Sequence, residues 1–168
     1  MKKIIFIAAS FLAALCTLPS CNKEQSSFSI EDVPGKAQIT GSLYINYGKS
    51  YVNGTLVDRM APAANMEVIA RLSNNDFISG ASGYTDYKTM TNMNGEYSIK
   101  IPVLDKGVSV TVTVADILGV RSEFVNQSGS QAQLQDVRGV FSFSKNISGV
   151  KPGNIKIVNG EFSFKAED

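Results

Sequence analysis

Histidine and tryptophan are absent from all 168 residues, and the two cysteines, Cys16 and Cys21, both lie in the first 21. Without histidine, the imidazole that serves most general-base and zinc sites is missing. Beyond Cys21 there is no thiol nucleophile, no disulfide and no cysteine-ligated metal. Charge is sparse as well. Charged residues make up 18 % of the chain, and 16 Lys+Arg against 15 Asp+Glu leave a formal net charge of +1. That balance carries no basic footprint for nucleic acid, so no nucleic-acid partner is expected. At 43 % hydrophobic, the chain is nonetheless too apolar for a disordered protein. No cofactor or metal is expected.

No apolar run reaches the roughly 20 residues of a membrane-spanning helix. The longest, Ile4 to Leu15, has 12, and it follows Lys2 and Lys3. A short positive region and then a run of this length describe an export signal. Leu18-Pro19-Ser20-Cys21 follows, with an aliphatic residue at −3 and a small one at −1. This resembles the lipobox of bacterial lipoproteins of the Bacteroidetes type, although Pro19 departs from the usual residue at −2. The resemblance implies cleavage after Ser20, a thioether-linked diacylglycerol on Cys21 and acylation of the new amino group. Two or more acyl chains anchor stably where one is marginal. The expected location is therefore the outer membrane, lipid-anchored, on either the periplasmic or the surface face. A plain secretory signal is the alternative, but it would leave Cys21 as an unpaired thiol in an oxidising compartment. Cys16 follows Leu15, too bulky for the −1 position.

Cleavage would remove Lys2 and Lys3, leaving 14 basic against 15 acidic residues. Residues 1–20 are thus read as signal peptide and 21–35 as a tether, whose polar segment from Asn22 to Gly35 has a coil reach of roughly 20 Å. Residues 36–168 are read as one β-sandwich domain. In that domain, helical periodicity gives way to alternation: Ile39, Gly41, Leu43 and Ile45 share one face, as do Met66, Val68, Ala70 and Leu72. Val108, Val110, Val112 and Val114 alternate with Ser109, Thr111 and Thr113. Phe141/Phe143 and Phe162/Phe164 repeat the pattern. Such alternation marks strands with one buried face. Asn53-Gly54, Asn94-Gly95 and Asn159-Gly160 are turn signals, the last flanked by apolar alternation that predicts a hairpin. The expected fold is all-β, an antiparallel sandwich of about seven to nine strands, with a β-barrel as the alternative.

Residues 36–115 resemble the carboxypeptidase regulatory-like domains, which are transthyretin-like (prealbumin-like) sandwiches. The resemblance rests on Ile39-Thr40-Gly41, on the Pro62 turn before Met66-Glu67-Val68, on Thr91-Asn92-Met93-Asn94-Gly95-Glu96-Tyr97-Ser98-Ile99, and on the alternating strand from Val108. It implies a scaffold without catalytic residues. A hairpin insertion over residues 48–60 and the extra strands of 116–168 depart from the pattern.

Catalytic chemistry needs an activated nucleophile or an acid/base pair. No Gly-x-Ser-x-Gly elbow occurs, and Asp58, Asp76, Asp86, Asp105, Asp116 and Glu96 are spread through segments read as turns. The 91–96 segment fails the calcium-loop register, since positions one and twelve would be Met90 and Ile101. Asn74-Asn75-Asp76 gathers oxygen ligands around a single carboxylate. Tyr84, Asp86 and Tyr87 sit in a long polar stretch and are the candidate ligand contacts. Tyr44, Tyr47 and Tyr51 cluster near the inserted hairpin. The sequence thus points to a lipid-anchored, non-enzymatic envelope module that binds or assembles, with an envelope protein or a glycan as partner. A glycan-active enzyme using loop carboxylates and a carrier of small apolar ligands are the alternatives.

Overall fold

The computed structural model describes residues 29–125 and 133–167. Cys21, the residues read as signal peptide and lipobox, and most of those read as tether lie outside the described residues. The tether's last seven residues, from Ser29 to Gly35, lie on the domain. A 3-10 turn over Ile30–Asp32 is capped by the Ser29 side chain, and Val33 is buried.

Ten strands follow: β1 (Lys36–Val52), β2 (Thr55–Pro62), β3 (Glu67–Ser73), β4 (Tyr84–Met90), β5 (Glu96–Pro102), β6 (Val108–Val125), β7 (Gln133–Val150), β8 (Ile155–Ile157), β9 (Gly160–Glu161) and β10 (Ser163–Ala166). One sheet is built on β1. It pairs antiparallel with β5 along its first half and with β2 along its second. Its other edge takes the short parallel strands β8 and β9. The second sheet runs β4-β3-β6-β7-β10. The sheets do not close into a barrel. β2, β4, β5 and β10 each have one strand partner and leave open edges. The result is an open all-β sandwich consistent with a transthyretin-like fold, and its count exceeds the expected seven to nine through the very short β8 and β9.

The alternation read from the sequence is the packing pattern. Val68, Ala70 and Leu72 of β3 and the four alternating valines of β6 face Ile39, Leu43, Ile99 and Ile101 of the first sheet, and all are buried. Phe141 sits against Tyr47 at 5.5 Å and Phe164 at 4.8 Å between ring centroids. Fully burying such a side chain stabilises by about 1.5–3 kcal/mol, and this apolar fill holds the sheets face to face.

Both sheets extend as ribbons. Asn53 and Gly54, both at positive φ (51° and 76°), close the predicted β1–β2 hairpin, as a two-residue turn of this hand requires. β6 and β7 pair from Val108↔Val150 out to Phe124↔Leu134 and Val125↔Gln133. The ribbons meet once, at Gly48↔Ser122. Gly48 has φ +87°, and a Cβ there would lie 2.0 Å from the Ser122 carbonyl oxygen. The Ser122 hydroxyl donates to Asp136 Oδ1 at 2.6 Å, and Arg59 reaches it from β2 at 3.4 Å.

Asn159-Gly160 does not form a hairpin. β8 and β9 run in the same direction along β1, at Gln38–Thr40 and Leu43–Tyr44 respectively. Asn159 Oδ1 accepts the Ser42 N–H, so its side chain continues the ladder across the gap. Glycine is needed at 160 for space: a Cβ there would meet the Phe143 ring at 2.0 Å.

Candidate functional site

The segment from Thr91 to Ile99 is made of structural ties. Thr91 is buried, and its hydroxyl donates to Ala63 O at 2.5 Å and accepts from Met66 N at 2.8 Å. Asn92 Oδ1 accepts the N–H groups of Asn94 and Glu96. The Tyr97 hydroxyl donates to Val158 O at 2.9 Å, and burial pushes its pKa up to about 12. Gly41 lies under the same carbonyl: a Cβ there would be 2.1 Å from Val158 O. Tyr97 and Gly41 thus hold the segment between β8 and β9 against the first sheet, while Thr91 and Asn92 fix the turn before β5.

The oxygen donors of residues 74–76 diverge. Asn74 Oδ1 accepts from Thr85 and its Nδ2 donates to Ser82 O. Asn75 caps Gly80, and Asp76 Oδ2 accepts the Ser109 N–H. Four of the carboxylates expected in turns lie on strands: Asp58 on β2, Asp86 on β4, Glu96 on β5 and Asp116 on β6. Asp58 pairs with Lys49 at 2.6 Å, and Glu96 accepts from Asn92.

Tyr84, Asp86 and Tyr87 also belong to a strand, the edge strand β4, not to a loop. Alternation along β4 separates them. Tyr87 faces inward, packs against the core and donates to Glu31 Oε1 at 2.9 Å. Burial first, then the Glu31 hydrogen bond and charge, push its pKa well above the usual tyrosine value. Tyr84 and Asp86 face outward. Tyr44 and Tyr51 are exposed on the β1–β2 ribbon, whereas Tyr47 is drawn into the aromatic cluster.

On the outer face of the second sheet, register assembles residues far apart in the chain. Asp86 stands opposite Arg71, Arg71 opposite Thr111, and Thr111 opposite Asn146. These four form one rank across β4, β3, β6 and β7. The Arg71 guanidinium grips Asp86 with two hydrogen bonds of 2.7 Å. That contact holds the Asp86 carboxyl below its ordinary value. The Thr111 hydroxyl donates to Asn146 Oδ1 at 2.6 Å. In the neighbouring rank Tyr84 pairs with Ser73, and the Arg71 cation lies 5.6 Å from the Tyr84 ring centre.

Side-chain length shapes this face. Tyr84 and Arg71 are long and stand over β4 and β3, while Ser109, Thr111, Asn146 and Ser148 are short and floor β6 and β7. The step leaves a groove of about 360 Å³. A larger groove of about 500 Å³ lies on the first sheet beside Thr40, Ser42, Glu96 and Ser98. Its polar groups are largely spent on one another, through Thr40 to Tyr97 O, Ser42 N to Asn159 and Asn92 to Glu96. It presents no exposed aromatic ring, because Tyr97 is buried. The second-sheet groove keeps Tyr84 66 % exposed, and that difference makes it the candidate site.

Sequence reading found Tyr84 and Asp86 but missed Arg71, Thr111 and Asn146. Nothing local marks them, since only strand register brings positions 71, 111 and 146 beside 86. No helix among the described residues is long and apolar enough to cross a membrane. Among them, too, no three Asp, Glu, His or Cys side chains are grouped to hold a metal. Compared with protein families, with characterised proteins and with solved structures, the chain matches none.

Proposed function

We propose that this protein is a lipid-anchored, non-enzymatic binding module of a bacterial cell envelope. Acyl chains on Cys21 hold it at the outer membrane, and the outer face of its second sheet meets the partner. The export signal and the Leu18-to-Cys21 motif support the anchor. The pattern at 39–41 and 91–99 supports kinship with carboxypeptidase regulatory-like scaffolds. The observation that carries the binding role is the Asp86–Arg71–Thr111–Asn146 rank beside an exposed Tyr84. Large, weakly flexible aromatic side chains next to adaptable polar groups make effective contact surfaces. The carboxylate there is clamped by arginine, which suits recognition better than proton transfer.

The test is a photo-crosslinking amino acid at position 84 of the full-length chain in intact cells, with position 100 on the other sheet as control. Discrete adducts at 84 and none at 100 are expected. Equal labelling at both positions, or none at 84, would overturn the assignment of this face.

A further inference from the structure

The chemistry of the groove narrows its occupant. Its charges are internally matched: Arg71 is paired with Asp86 at 2.7 Å, and on the same face Lys88 is paired with Glu67 at 2.9 Å. An anionic ligand would have to displace Asp86 from Arg71 or Glu67 from Lys88 to take either cation. The floor is uncharged and rich in hydroxyls. The Asn146 amide accepts from Thr111 through its oxygen, and among the described residues no acceptor takes its Nδ2, which is left to bond a ligand. Arg71 lines the groove and, with Asp86 held against it just outside, sets donor atoms beside acceptor atoms, the pattern that two neighbouring hydroxyls match. Tyr84 adds a flat apolar surface with a polar tip. The groove crosses four strands, three spacings of about 4.8 Å or roughly 14 Å in all. That span is longer than one sugar ring.

We propose that the groove on the outer face of the second sheet binds a stretch of neutral, hydroxyl-rich glycan. Tyr84 is its stacking surface, and Arg71, Thr111 and Asn146 form its hydrogen-bonding line. This rests on the reading of that face as the binding surface. A neutral sugar exchanges its water hydrogen bonds for protein ones without stripping a charge of its solvent, so the penalty of unpaired polar groups is avoided. The apolar ring face of the sugar covers Tyr84.

The test is retention of the full-length chain, in detergent, on immobilised neutral glycans (β-glucan, α-glucan, mannan and xylan) and on an anionic polyuronate. Retention on at least one neutral glycan and none on the polyuronate is expected. Tyr84→Ala should weaken it about tenfold or more, Asn146→Ala severalfold, and Lys100→Ala on the other sheet not at all. These side chains are exposed, and unchanged melting curves check that each variant folds. Failure to retain any neutral glycan, preference for the polyuronate, or indifference to both Tyr84→Ala and Asn146→Ala would overturn the proposal. If a protein adduct forms at position 84 while no neutral glycan is retained, the glycan assignment fails and the binding face stands. If neither occurs, both fall.

Discussion

Asp86 and Tyr97 show how one side chain's surroundings set its chemistry. Asp86 is held ionised by a two-pronged guanidinium, and its carboxyl titrates below 3.8, its ordinary value. A depressed folded-state value means the pair stabilises above pH 3.8 and loses its contribution as pH falls through the lowered value. Side-chain carboxyl NMR should give a midpoint under 3.8 that moves back up in Arg71→Met. The stability gap between the native chain and Asp86→Asn should stay constant from neutral pH to about 4 and close below it. Tyr97 runs the other way. Its raised value, about 12, arises from burial. The neutral phenol therefore stabilises fully below pH 10, the ordinary tyrosine value, and that contribution is lost between 10 and about 12. Absorbance at alkaline pH should show a tyrosine ionisation at about 12 that is lost in Tyr97→Phe. Tyr97→Phe leaves the Val158 carbonyl without this donor and should cost about 1 kcal/mol at pH 7, read by denaturant unfolding.

Among the elements, the ribbons depend on backbone space at Gly48. Both Gly48 and Gly54 have positive φ, so alanine at either costs about 1 kcal/mol of backbone strain or more. Gly54 has nothing within 4 Å, whereas a Cβ on Gly48 would strike the Ser122 backbone. Gly48→Ala should accordingly lower the melting temperature by several degrees more than Gly54→Ala, measured side by side. Strands were legible in the sequence because the pleat turns burial into alternation, and Val108 to Val114 alternates in the structure as it does in the text. The Asn53-Gly54 turn was legible because both residues supply the positive φ it needs. Asn159-Gly160 misled because its glycine answers to the Phe143 ring, a contact distant in sequence. β4 was taken for loop because an edge strand exposing Tyr84, Asp86 and Lys88 lacks the strong apolar face of a central one. Arg71, Thr111 and Asn146 stay hidden for a related reason. A cross-strand rank is a product of register, and no local pattern announces which residues of β6 and β7 will stand beside Arg71.

For the whole molecule, the two sheets divide the work. The first gathers β8, β9 and the tied-down 91–99 segment, and its outer polar groups largely satisfy one another. The second turns a long-and-short stepped face outward. The proposed anchor at Cys21 would confine the domain to a membrane surface, where a weak site gains from the high effective concentration of an envelope partner. The measurement that bears most directly on this account is the intact mass of the protein extracted from native membranes. The account predicts a chain beginning at Cys21 and carrying a diacylglycerol thioether with an acylated amino group. A chain with an unmodified Cys21, recovered in the aqueous phase without detergent, would contradict it.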